Sequence, residues 1–277
     1  MIDTHCHLTF PEFKDRTAEV LSQAAAAGVS GCVTISTTIP DAFEAHAIAQ
    51  KHARVWSTVG VHPLYSDQGP HEWKQAALLA RQEKVVAFGE LGLDNHYAEP
   101  IKSVQLKVLE EQLAFIRSCW DEADATAGGK GWRKPIVLHC REAFAELIPI
   151  LRASGLDAGK MVFHCFTGTP EEMRALLDFG ALVSFTGVVT YKSAKALREA
   201  AKLPPSDRIM VETDAPFLVP EPLRGKVGKG KGGGGCEPWM VKHTLAALAE
   251  LRGEDEAALH ATINATTARF FSLPDVT

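Results

Sequence analysis

Six residues of this chain have side chains and neighbours that suit the binding of divalent cations. His5 and His7 lie in the opening stretch Met1-Ile2-Asp3-Thr4-His5-Cys6-His7-Leu8. Alternate side chains of a strand share a face, so Asp3, His5 and His7 are expected to point one way and Ile2, Thr4, Cys6 and Leu8 the other. Two neutral imidazoles at that spacing form a metal clamp. The remaining four are Glu90 in Gly89-Glu90-Leu91-Gly92-Leu93-Asp94, His139 in Val137-Leu138-His139-Cys140-Arg141, His164 in Phe163-His164-Cys165-Phe166, and Asp214 in Glu212-Thr213-Asp214-Ala215-Pro216. Four imidazoles and two carboxylates suit one or two divalent ions, Zn²⁺, Mg²⁺ or Mn²⁺. A pair needs a bridging carboxylate, for which Glu90 is the natural candidate. Metals about 3.5–4 Å apart activate a water and clamp both oxygens of an in-line displacement.

A lone histidine at a strand end is ordinarily a hydrogen-bonded core residue, and Asp-Ala-Pro can simply cap a turn. Six such residues, each closing an apolar run, argue for a shared site instead. His62, in Gly60-Val61-His62-Pro63, closes another run and reads either as a ligand or as a substrate contact. Asp3 is expected one residue pair deeper than the clamp, about 6–7 Å away, where it would orient ligands rather than bind metal. Cys6, Cys140 and Cys165 each directly follow a strand histidine and are expected to face away from the site as small buried hydrophobes.

These residues need elements that bring distant strand ends together. Apolar runs at 2–7, 31–36, 55–61, 85–91, 135–140, 161–165, 182–186 and 209–212 alternate with amphipathic stretches such as 16–27, 42–52, 72–82, 104–120 and 171–179. Eight strands alternating with helices predict an α/β fold, a (β/α)8 TIM barrel formed as a single domain over residues 1–277. In such a barrel the C-terminal strand ends form the rim where active sites assemble. Two polar, Gly-rich segments stand apart. Residues 121–134 are expected as a loop on the far side, and residues 220–238 as a long Gly/Lys loop on the active-site side.

Composition narrows the function classes. The 277 residues are 46% hydrophobic and 23% charged, with a net charge of −5. A broad basic nucleic-acid-binding face is not expected from that balance, so any such contact must be local. No apolar run is long enough to span a membrane and no signal-peptide pattern opens the chain, so a cytoplasmic monomer without membrane partners is the expectation. The six cysteines form no CxxC pair and read as reduced thiols.

Taken in order, IDTHCHL, TVGVHP, GELGLD, QLKVLEEQL, IVLHCREA, FHCFTG, ETDAPFL and PLRGK resemble the TatD-family metal-dependent hydrolases of the amidohydrolase-like barrels, over nearly the whole chain. The resemblance implies two divalent metals, one held by His5, His7, Glu90 and Asp214 and the other by Glu90, His139 and His164. It implies hydrolysis of DNA phosphodiesters, as a 3′-to-5′ exonuclease or an endonuclease, with Asp214 also serving the attacking water as base. RNA is a possible further substrate. The alternative on the same metals is removal of a D-amino acid from charged tRNA, or cleavage of another small ester, amide or phosphoester. The chain departs from the family pattern at Asn95-His96-Tyr97, at the inserted segment 123–131, and between Arg224-Gly225 and Glu237-Pro238, where Cys236 stands in place of the usual Asn. Beside the expected metals, Arg224, Lys226, Lys229 and Lys231 are expected to grip substrate phosphates, with Arg141 as a second candidate.

Overall fold

Short runs rich in β-branched and aromatic residues form strands, and longer stretches with apolar residues on one side form helices between them. The computed structural model describes residues 1–126, 133–227 and 235–274. In chain order it contains β1 (Ile2–Cys6), α1 (Thr17–Ala26), β2 (Gly31–Thr34), α2 (Ile39–Lys51), β3 (Val55–Val59), α3 (Trp73–Ala80), β4 (Val85–Asp94) and α4 (Lys102–Ala125). There follow β5 (Ile136–Arg141), α5 (Phe144–Ser154), β6 (Met161–Phe163), α6 (Pro170–Phe179), β7 (Leu182–Phe185), α7 (Lys195–Ala200), β8 (Ile209–Val211), α8 (Val241–Arg252) and α9 (Glu256–Phe271).

All eight strands pair in parallel with their sequence neighbours, in the order β1 to β8. Beyond β8 the chain turns back onto β1: Asp214 N–H donates to His5 O at 2.8 Å, His7 N–H donates to Ala215 O at 2.8 Å, and Cys6 bridges Ala215. These bonds nearly close the barrel at the rim and tie His5 and His7 to Asp214. The α/β fold expected from the sequence is therefore present as one domain.

Two apolar layers hold it. An inner cluster of Ile2, Val33, Ile35, Val86, Val137, Val162 and Met210 fills the barrel, and Phe270 and Phe271 of α9 pack against it. An outer cluster joins the other strand faces to the helices, for example Cys32, Phe88, Leu91, Leu138, Phe163 and Val211 with Val20, Leu147 and Leu248. Helix ends are set locally. In α6, Thr169 accepts from Glu172 N–H while the Glu172 carboxylate accepts from Thr169 N–H, a capping box worth about 1 kcal/mol.

Several strands differ in extent from the sequence expectation. β3, β6 and β8 stop at Val59, Phe163 and Val211, so His62, His164 and Asp214 sit on the turns that follow. β4 instead runs past Glu90 to Asp94, and α4 reaches Ala125, into the expected loop. No helix among the described residues is long and apolar enough to cross a membrane.

Candidate metal centre

Two breaks in strand alternation aim the deepest ligands. In β4, Phe88 and Leu91 both pack outward although three residues apart, and the register with β5 shifts between them. The extra residue turns Glu90 into the barrel, followed by Gly92 and Asp94 on the same side. This bulge requires glycine. Gly89 has φ +128°, and a Cβ on Gly92 (φ +150°) would lie 1.8 Å from His139 O. In β1 the register with β2 likewise shifts between Asp3 and Cys6. Ile2 belongs to the inner cluster and Cys6 to the outer one, so Asp3 lies on the outer face while His5 turns inward.

Asp3 therefore does not share the face of His5 and His7, contrary to simple alternation. Its carboxylate accepts from Thr213 N–H at 2.9 Å and Thr213 Oγ1 at 2.6 Å, which braces the turn carrying Asp214. Burial, only partly offset by these hydrogen bonds, raises its carboxyl to about 8.

All six predicted ligands converge. Glu90, 1% exposed, divides its two oxygens between them. Oε2 lies 3.3 Å from His5 Nε2, while Oε1 lies 2.8 Å from His139 Nδ1 and 2.5 Å from His164 Nε2. His5 Nε2 and His7 Nε2 are 3.3 Å apart, and Asp214 Oδ1 is 3.6 and 3.3 Å from them.

The donor chemistry fits metal. His7 Nδ1 lies 3.1 Å from Ile35 O, which can only accept, so Nδ1 carries the proton and the neutral ring presents a bare Nε2 to the centre. Asp94 Oδ2, 3.0 Å from His139 Nε2, likewise leaves His139 Nδ1 bare. Glu212 Oε1 faces His164 Nδ1 at 3.4 Å, outside good hydrogen-bond geometry but on the side away from Glu90. Backing of the distal nitrogen by a carboxylate or carbonyl is the usual support for ligating histidines. The buried His/Glu/Asp groups thus suit a binuclear centre with Glu90 between its halves.

The electrostatics agree for three of the four histidines, whereas burial, with His164 beside it, lowers His5. Burial pulls His7, His139 and His164 down, yet the facing carboxylates of Asp214, Asp94, Glu90 and Glu212 raise all three. Burial would raise Glu90, but His164, His62 and His5 with the His139 hydrogen bond hold it well below the usual carboxylate range. A field that favours a proton on these rings favours a metal cation at the same lone pairs.

His62 is close to this set but differs in kind. Its Nε2 lies 3.1 Å from His139 Nδ1 and 3.5 Å from Glu90 Oε1, which places it in a possible ligand group by distance. Its Nδ1, however, accepts from Leu64 N–H at 3.0 Å. The neutral ring must then carry its proton on Nε2 and offers the centre a donor instead of a lone pair. Burial, aided by neighbouring imidazoles, pushes His62 down to about 3, so it stays neutral near pH 7.

A cleft of about 680 Å³ opens over the centre, lined by His7, His62, Glu90, His139, His164 and Asp214, with Arg141 beside them. Arg224 and Lys226 are not among the residues lining it. Arg224 stacks on the Tyr191 ring at 4.2 Å and Lys226 is exposed. Lys229 and Lys231 lie outside the described residues. Cys6 packs in the outer layer, as expected, but Cys165 and the largely buried Cys140 both contribute to the cleft lining. Strand alternation does not reach Cys165, because β6 has ended and the residue has φ +45°. Its N–H donates to Glu212 at 2.6 Å.

Asp94 and Glu212 were not singled out among the sequence candidates. Parity contained a signal for Asp94, which lies four residues beyond Glu90 on one strand, but not for Glu212, which follows the end of β8.

A parallel eight-stranded barrel with four imidazoles and two carboxylates at its C-terminal rim has the architecture and donor set of a metal-dependent hydrolase. The chain belongs to the TatD family, matching the family described as TatD related DNase over residues 2–272. It is 36% identical over 257 residues to the 3′-5′ ssDNA/RNA exonuclease TatD of Enterobacter lignolyticus, covering 92% of each chain. It is 33% identical over 276 residues to the uncharacterized metal-dependent hydrolase YcfH of Escherichia coli K12, covering 99% of this chain and 96% of that one. Among solved structures, the TatD homologue YJJV of Escherichia coli K12 superposes with a TM-score of 0.85 at 26% identity, covering 99% and 98% of the two chains.

Proposed function

We propose that this TatD-family hydrolase cleaves phosphodiester bonds of DNA as a 3′-to-5′ exonuclease, an endonuclease or both, with RNA as a further substrate. The observation that carries the reading is Glu90, whose two carboxylate oxygens face separate ligand sets across a cleft open to solvent. His5, His7, Glu90 and Asp214 would hold one divalent ion and Glu90, His139 and His164 the other. Bound ions would supply Lewis acidity and a water of lowered pKa.

The other steps belong to the chain. Asp214 is the carboxylate to orient the attacking water and accept its proton: its side chain is 15% exposed, against 2% for Glu90. His62 Nε2–H is a neutral donor for a substrate oxygen. Arg141, at the end of β5, offers a charge to the phosphate at the cleft wall. Arg224 and Lys226 are assigned to the outer path of the strand, beyond the cleft. Relatives named as single-stranded DNA and RNA exonucleases support this choice of substrate.

The test is cleavage of a single-stranded deoxyoligonucleotide with Mg²⁺, Mn²⁺ or Zn²⁺. Activity should vanish in EDTA and in Glu90→Ala. Protein loaded with metal that cuts neither DNA nor RNA contradicts the proposal.

A further inference from the structure

Six large hydrophobic side chains are conspicuously exposed among the described residues, and two of them, Tyr97 (51%) and Phe217 (40%), line the metal cleft. Tyr97 follows β4 and Phe217 follows β8, strands that lie across the barrel from each other. The metal ligands lie between. Both aromatics are anchored to residues of the centre. Asp94 Oδ1, on the carboxylate that holds His139, accepts from Tyr97 N–H at 3.3 Å and from His96 N–H at 2.9 Å. Phe217 N–H donates to Asp214 O at 2.9 Å.

Each ring also has a supporting partner. The Arg141 guanidinium lies 5.2 Å from the Tyr97 ring centroid. Phe217 meets Phe10 edge-on at 5.9 Å, and Phe10 stacks on His7 at 4.7 Å. Nucleobases stack on exposed aromatic faces regardless of sequence.

We propose that Tyr97 and Phe217 are base-stacking platforms on either side of the metal centre, each taking one unpaired nucleobase adjacent to the cleaved bond. The inference rests on the phosphodiesterase reading above. It adds specificity for unpaired residues, since a base held in a duplex stack cannot also lie against these rings. Arg141 serves both the Tyr97 platform and the phosphate next to it.

The test is steady-state kinetics on single-stranded deoxyoligonucleotides, using intact strands and strands with an abasic residue on one or the other side of the cleaved bond. Tyr97→Ala and Phe217→Ala should each raise KM about tenfold on intact strands, the loss of one stacked base. Metal content by elemental analysis should stay at the wild-type value. Tyr97→Phe and Phe217→Tyr should restore KM. Phe43→Ala, at an exposed aromatic on α2 that does not line the cleft, serves as control. On a strand lacking the matching base, the alanine variant and the parent should become equal. Failure of the parent to cut any strand sinks the phosphodiesterase reading itself. Normal cleavage with KM within twofold in both alanine variants, or additive effects of variant and abasic residue, overturns the platform assignment alone.

Discussion

At the scale of single residues, the centre works by fixing which nitrogen of each histidine is free. Carbonyl and carboxylate partners hold the distal protons of His7 and His139, so both rings approach the centre with bare nitrogens. Removing such a partner typically weakens metal binding 10- to 100-fold. Asp94→Ala should therefore lower affinity for one of two ions by about that factor, measured by metal titration, with the other left near its original value. His62 is the opposite case, a donor facing the same space. His62→Ala should keep the full metal complement by elemental analysis while kcat/KM falls about 10- to 100-fold, the loss of a hydrogen bond to a charged substrate oxygen. Loss of an ion in that variant would make His62 a ligand.

At the scale of elements, two strand bulges deliver His5 and Glu90, and the β4 bulge depends on glycine. Gly92→Ala forces a Cβ onto His139 O and strains a positive-φ residue. It should cost at least about 2–3 kcal/mol, or about 3–5 °C in Tm for a chain of this length. Gly253→Ala, at a helix end with φ +66° and nothing within 4 Å, should cost about 1 kcal/mol. Equal melting of the two variants would show that the close approach at Gly92 is not what the bulge requires. The same element explains the limit of sequence reading. The candidate ligands were legible because each closes an apolar run, and the barrel because those runs recur. The bulges were not, since a one-residue register shift is a property of two strands together. Asp3 was consequently assigned to the wrong face, and Cys165 to a strand that had already ended. Arg224 was expected at the metals because its loop follows β8, but Tyr191 takes its guanidinium.

At the scale of the whole molecule, the proposed ligands come from β1, β4, β5 and the turns after β1, β6 and β8, so metal binding would span the circumference of the barrel. An ion bound only by the folded state stabilises it by about 2.7 kcal/mol at a concentration 100 times its Kd. Metal-stripped protein should accordingly melt about 5 °C lower per site than protein in excess metal. An unchanged Tm would mean that these side chains hold no metal under those conditions.

The proposed function requires Glu90 to link two ions into one phosphodiester-cleaving centre. Elemental analysis paired with cleavage of single-stranded DNA, on parent and Glu90→Ala protein side by side, tests it most directly. The parent should carry two divalent ions per chain and cut the strand. Glu90→Ala should carry at most one and be slower by at least about 1000-fold, the effect of roughly 4 kcal/mol in the transition state. A parent with two bound ions that leaves DNA and RNA intact, or a Glu90→Ala variant that retains both ions and full activity, would contradict it.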